Sequence, residues 1–272
     1  MGVPNRIAER LVSALKRFQP ILSSAKSRDV NESDTSMIVT DIMAEMFGYD
    51  KYSEITRELC IRGTYCDLAT RIENKIQMII EVKAVGLELK DAHVKQAVDY
   101  AANGAIEWVA LTNGQIWKVY KVTFSKPIDA TLVLDLDLLA MSHRSDTDIA
   151  SLYLLTRESM VKSGLYAYHD QKEATNKFYL AALLLSDPVL DTVKRELRKL
   201  SGARIQNDEL QSLLMQDVLK RDLFDGEKAE AARRKVARAL VRSSKPRKEE
   251  LSPIIDSLNP ELHSDPKPPS EQ

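Results

Sequence analysis

The chain has 272 residues, 44% of them hydrophobic and 29% charged, with a formal net charge of −1. That length can bury a substantial core as one large domain or two smaller ones, and the composition is that of a soluble globular protein. The near-zero charge excludes a global pull toward nucleic acid, and no apolar run approaches the length of a membrane span, so a cytoplasmic location with no membrane partner is the default expectation.

Residues 4 to 25 place Ile7, Leu11, Ala14, Leu15, Phe18 and Leu22 at helical intervals, which predicts an amphipathic first helix. Asn31-Glu32-Ser33-Asp34 then supplies helix-start chemistry for a second helix to about Phe47. Its apolar stripe reads as Met37, Ile38, Ile42, Met43, Met46 and Phe47, and Gly48 is its stop.

The period then changes to that of strands, over 55–61, 65–72 and 76–84. The short separators Arg62-Gly63-Thr64 and Glu73-Asn74-Lys75 favour an antiparallel meander. A helix from about Leu89 to Asn103, ending at Gly104, precedes two further strands over 107–111 and 116–122. Asn113-Gly114 between them is a hairpin signal, since both residues tolerate positive φ. Residues 131 to 136 can add an edge strand. The predicted fold class is α/β, a mixed β-sheet flanked by helices.

Beyond residue 145 the strand signal ends, and 146–163, 171–185, 187–200, 207–220 and 227–242 read as helices. The stripe Leu210, Leu213, Leu214 and Val218 is read as domain core ahead of a partner-binding face. The last thirty residues hold Pro246, Pro253, Pro260, Pro266, Pro268 and Pro269 among polar neighbours, which predicts a mostly unfolded tail. The expected organisation is therefore a sheet domain over 1–140, a helical region over 141–242 and a flexible tail over 243–272.

Cys60 and Cys66 match no zinc spacing and read as buried free thiols on strands; His93, His143, His169 and His263 offer no paired spacing either. Oxygen-ligated Mg²⁺ remains open. The charged residues that recur inside apolar runs are Asp67, in Tyr65-Cys66-Asp67-Leu68-Ala69, and Glu81 and Lys83, in Ile79-Ile80-Glu81-Val82-Lys83-Ala84. Glu81 and Lys83 share a strand face, and Asp67 on a neighbouring strand could join them. Two carboxylates beside a lysine on rigid strands suit a hard divalent cation and a water that it activates.

These pieces resemble the PD-(D/E)XK nuclease superfamily, and within it the N-terminal nuclease domain of type I restriction enzyme R subunits, over roughly residues 28 to 122. Asn31-Glu32-Ser33-Asp34-Thr35 leading to Met46-Phe47-Gly48-Tyr49-Asp50 is similar to the family's first helix, and Ile55-Thr56-Arg57-Glu58 to its first strand. Gln96 and Tyr100 resemble its Gln-x-x-x-Tyr signature, and Leu111-Thr112-Asn113-Gly114 with Trp117 its hairpin. The resemblance implies a restriction-endonuclease-like core and metal-dependent hydrolysis of DNA phosphodiester bonds, in restriction of foreign DNA. It implies that Asp67, Glu81 and the Val82 carbonyl hold Mg²⁺, with Mn²⁺ a substitute, and that Lys83 orients or deprotonates the attacking water. Glu32 would be a further carboxylate, and Gln96 and Tyr100 would touch the nucleic acid.

The family's helicase motor is not expected here, because the chain has no G-x-x-x-x-G-K-[ST] loop; a separate motor or specificity subunit, or a second copy, would be the partner. A local basic excess runs from Arg233, Arg234, Lys235 and Arg238 through Arg242, Lys245 and Arg247 to Lys248, and could neutralise DNA phosphates or be a solvated helix face. The competing expectation is a silent nuclease fold serving DNA binding, regulation or assembly.

Overall fold

The computed structural model describes residues 2–61, 63–124 and 127–243. They form two compact units, one over Met1–Thr175 and one from Asn176 on. Of the predicted tail, Ser243 ends a helix and 244–272, with His263 and the basic residues Lys245, Arg247 and Lys248, lie outside the described residues, as does Arg62.

The first unit is built on a six-stranded mixed sheet in the order β1 (Ile55–Ile61), β2 (Thr64–Ile72), β3 (Lys75–Val82), β4 (Trp108–Thr112), β5 (Ile116–Thr123) and β6 (Asp129–Asp137). All neighbours are antiparallel except β3 and β4, which run parallel because α3 (Asp91–Gly104) crosses between them. At the β2–β3 turn Glu73 and Asn74 both take positive φ, 50° and 62°, the handedness that matches strand twist.

Each sheet face is covered by its own apolar cluster. Met78, Ile80 and Val82 of β3 join Leu11, Leu15, Phe18 and Leu22 of α1 (Asn5–Ser27) and Val39 of α2 (Glu32–Asp41) on one side. Ile79 joins Ala97, Val98 and Ala101 of α3 on the other. By the two-residue alternation of a strand, Glu81 follows Ile79 onto the α3 side.

After β6, α4 (Asp146–Tyr153), α5 (Arg157–Val161) and α6 (Gly164–Ala174) contribute Ile149, Leu152, Met160 and Leu165 to the α1 cluster. The helices after residue 140 are thus divided between the units. Arg10 of α1 reinforces the first unit with a two-pronged bond to Glu158, 2.7 and 2.8 Å. The second unit holds α7 (Lys177–Leu184), α8 (Asp187–Ser201), α9 (Asn207–Leu213), which continues into a π-helical turn at Leu214–Val218, a 3-10 turn at Arg221–Leu223, and α10 (Glu227–Ser243). No helix among the described residues is long and apolar enough to cross a membrane.

Several local expectations need correction. Met37 is 57% exposed, because small residues (Thr35, Ser36, Thr40) fill the inner face of α2 that an apolar-only reading assigned to it. The second helix also widens into a π-helical turn at Ile42–Met46 before Gly48, at φ 80°, ends it. Ala105, not Gly104, adopts the left-handed cap of α3. In the β4–β5 loop only Gly114 has positive φ, since Asn113 works through its side chain.

The stretch 146–163 is two helices, broken where the buried Thr156 hydroxyl accepts from Ser159 N–H to cap α5. Likewise 171–185 is broken where Asn176 caps α7. Hydroxyl and amide caps offer the backbone a competing partner that apolar periodicity does not register. Cys66 is buried but Cys60 is exposed on the edge strand β1, and both are free thiols. Of the second-unit stripe only Leu210 is buried; Leu213 and Val218 are exposed.

Candidate active site

The site lies where β2 and β3 run side by side and the chain leaves β3 toward α3. The β2–β3 ladder is registered as far as Leu68↔Ile80, so Asp67 and Glu81 are the next residue of each strand, and the Asp67 charge acts on Glu81. Asp67 is fixed by the neighbouring strand: Val82 N–H donates to Asp67 Oδ2 at 2.7 Å. The carboxylate thereby holds the last ladder position of β3.

Glu81 is 2% exposed. Its Oε1 accepts from Lys83 Nζ at 2.8 Å, whereas its Oε2 is buried without a hydrogen-bond partner. Lys83 is anchored in turn by its backbone N–H, which donates to Thr112 O at 2.8 Å, and its side chain is 12% exposed. Glu32, in the first turn of α2, approaches the same ammonium at 3.8 Å with a half-exposed side chain. Asn31 begins that helix by accepting from Asp34 N–H at 2.9 Å, and this places Glu32 in the turn that faces the end of β3.

The electrostatics follow from burial and crowding. Burial pushes the Glu81 carboxyl above the ordinary glutamate value; the bond from Lys83 opposes this, and the charges of Asp67 and Glu32 add to it. Burial works to lower Lys83, but the bond to Glu81 and the charges of Glu81, Glu32 and Asp67 outweigh it and hold the ammonium above the ordinary lysine value. The neighbouring Cys66 thiol is pushed up to about 11 by burial and by Glu81 and Asp67, which leaves it inert as a nucleophile.

Among the described residues no three acidic, histidine or cysteine groups converge into a ready-made cage. The donors present are nevertheless all oxygen: the Asp67 and Glu81 carboxylates, with Glu81 Oε2 buried without a hydrogen-bond partner. That set fits a hard ion that keeps several of its own waters, as Mg²⁺ does, better than a softer transition metal.

The remaining candidates are placed as follows. Gln96 and Tyr100 sit one turn apart on α3, which covers the sheet face of Glu81, and Gln96 Nε2 donates to Tyr100 Oη at 2.9 Å. Arg233, Arg234, Lys235 and Arg238 are exposed on α10 of the second unit. Arg233 donates to Phe224 O, Arg234 pairs with Glu230, and Lys235 reaches Tyr179 Oη. Two roles were not foreseen from the sequence. Thr35 and Asn113 both bond the backbone just after Lys83; the only signal was their place inside motifs read for helix start and hairpin.

Residues 39–132 match the family described as "Type I restriction enzyme R protein N terminus". The matched segment contains Asp67, Glu81, Val82, Lys83, Gln96 and Tyr100, and starts after Glu32. It agrees with the likeness noted over residues 28 to 122. No curated protein and no solved structure matches the chain.

Proposed function

We propose that the first unit, whose segment 39–132 is similar to the N terminus of type I restriction enzyme R proteins, is a divalent-metal-dependent nuclease that hydrolyses DNA phosphodiester bonds in restriction of foreign DNA. The observation that carries this reading is the buried Glu81, one oxygen on Lys83 and the other orphaned, beside an Asp67 bonded to the end of the same strand. An unpaired carboxylate oxygen in the interior is costly, and such a cost is tolerated where a ligand compensates it.

In this reading Asp67, Glu81 and the Val82 carbonyl hold Mg²⁺, or Mn²⁺ in its place. The ion would supply positive charge to the phosphoryl oxygens and lower the pKa of a water. Asp67 contributes a carboxylate oriented by the Val82 N–H. Lys83, whose Nζ stands 2.8 Å from Glu81 Oε1, would orient or deprotonate the attacking water and offset phosphate charge. Glu32 steadies that ammonium from the solvent side. Gln96 and Tyr100 exchange their mutual bond for contacts to the nucleic acid. The α10 cations do the same with phosphates, since exposed pairs of this kind are worth at most about 1 kcal/mol.

The test is incubation of the full chain with supercoiled plasmid, single-stranded DNA and RNA, with and without Mg²⁺ or Mn²⁺. Metal-dependent scission of DNA that Asp67→Ala and Lys83→Ala abolish supports the reading; undiminished cutting by both variants defeats the site.

One observation favours a second reading. The Lys83–Glu81 pair already neutralises half of the site from within, as a silent nuclease fold retained for DNA binding or assembly would. Binding of DNA without Mn²⁺ uptake or scission would select it.

A further inference from the structure

The β3–β4 ladder ends at Val82↔Thr112, yet the chain beyond it is held as firmly as a strand. Val85 N–H donates to Thr35 Oγ1 at 3.1 Å, and Val85 O accepts from Asn113 Nδ2 at 3.3 Å. Both sides of one backbone unit, two residues past Lys83, are therefore gripped by side chains from different elements.

Neither grip is incidental. Thr35 is fully buried and gives its hydroxyl proton to Asn31 O at 2.8 Å, so a lone pair is turned toward Val85. Asn113 is 5% exposed; its second donor bond goes to Leu87 O at 3.0 Å and its Oδ1 accepts from Ile116 N–H at 2.8 Å. The amide is thus oriented from the β5 side. The next residue, Gly86, passes so near Asp29 that a Cβ there would lie 2.5 Å from Asp29 Oδ1. Thr35 also stands one turn after Glu32 on α2, so the bond that fixes Val85 docks the helix carrying the second carboxylate partner of Lys83.

We propose that Thr35 and Asn113 are positioning residues: by gripping the Val85 N–H and C=O between α2 and the β4–β5 loop, they set where Lys83 sits relative to Glu81 and Glu32. In its consequence for turnover the proposal rests on the nuclease reading; in its consequence for Lys83 it does not. Upstream, Lys83 is held by Thr112 O; downstream, by this clamp, with only Ala84 between. Loss of the Thr35 bond leaves Val85 N–H without its acceptor and frees this segment from α2, with Asn113 and the Leu87 N–H bond to Ala84 O, 2.9 Å, holding the turn from the other side alone.

The experiment uses the full chain as wild type and as Thr35→Val, Thr35→Ser and Thr40→Val. Thr40 is buried on the same helix and its hydroxyl donates to Ser36 O at 2.7 Å, its one side-chain bond among the described residues, so its variant reports a purely structural loss of a hydroxyl. Acylation of lysines by an N-hydroxysuccinimide ester, at one pH and read by peptide mass spectrometry, should speed up several-fold at Lys83 relative to Lys95 in Thr35→Val. Thr35→Ser and Thr40→Val should label like wild type. With plasmid and Mn²⁺, well below the unfolding temperature, Thr35→Val should lose on the order of 10- to 100-fold in turnover with the DNA KM unchanged, and Thr35→Ser should restore most of it.

Unchanged Lys83 labelling in Thr35→Val, or an equal rise in Thr40→Val, overturns the clamp. So does wild-type turnover in Thr35→Val. A wild-type protein that does not cut defeats the nuclease reading alone, and the labelling arm still decides the clamp.

Discussion

Lys83 Nζ lies 2.8 Å from Glu81 Oε1, two positions along the strand direction, and the pair leaves the other oxygen of Glu81 without a partner. This asymmetry joins stability to chemistry. The ammonium makes burial of the carboxylate tolerable, and the other oxygen is buried with its lone pairs unmatched by any donor among the described residues.

Replacing Lys83 by Met strips the buried carboxylate of its donor and should destabilise the first unit by about 3–5 kcal/mol at neutral pH, as for a broken buried pair. Both tryptophans, Trp108 and Trp117, lie in that unit, so urea unfolding followed by fluorescence reads it directly.

The pH dependence has a definite sign. Because Glu81 is held above 4.5, its ionised form costs stability, and this cost is relieved as pH falls through the raised value. The deficit of Lys83→Met should therefore narrow as pH is lowered toward 4.5, with the same unfolding assay as the check. In wild type, the stabilisation from the raised Lys83 is complete below 10.5 and is lost as pH climbs through its folded value.

Asp67→Asn should keep the fold but remove a charge that a metal ion would use. Its amide oxygen can still accept from Val82 N–H, so circular dichroism should be unchanged. Metal-dependent scission should drop roughly 100-fold or more. A variant that cuts at the wild-type rate would remove Asp67 from the reaction.

Gly114→Ala should cost about 1–2 kcal/mol from the left-handed backbone alone, since Gly114 sits at φ 84°. The new Cβ would also stand 3.1 Å from Leu22 Cδ2. Fluorescence-detected unfolding should show the loss, and turnover should suffer with it because the same loop carries Asn113.

Exchanging Arg233, Arg234, Lys235 and Arg238 for Gln should make the salt dependence of DNA binding shallower, by up to about 3–4 in the slope of log K against log salt. An unaltered slope would identify the α10 cations as a solvated face. Fluorescence anisotropy over a salt series is the measurement.

Much of this molecule is legible in one dimension. The heptad-like stripe of α1, the change to period two at Ile55, the turn at Glu73-Asn74 and the order of Asp67, Glu81 and Lys83 are local patterns, and local patterns are what side-chain size, polarity and backbone preference dictate. The breaks at Thr156 and Asn176, and the exposure of Met37, escaped such a reading. There, small polar side chains took backbone bonds or inner positions that hydrophobicity does not register.

The site divides along the same line. Glu81 and Lys83 are one strand repeat apart and so were expected on one face; Lys83 stands one residue past β3 and is kept in line by its N–H bond to Thr112 O. That Asp67 would spend an oxygen on Val82 N–H, that Glu81 would keep one oxygen orphaned, and that Thr35 and Asn113 would grip Val85 depended on strand register and helix docking. Those are set by two apolar clusters assembled from residues far apart along the chain, and no window of neighbouring residues contains them.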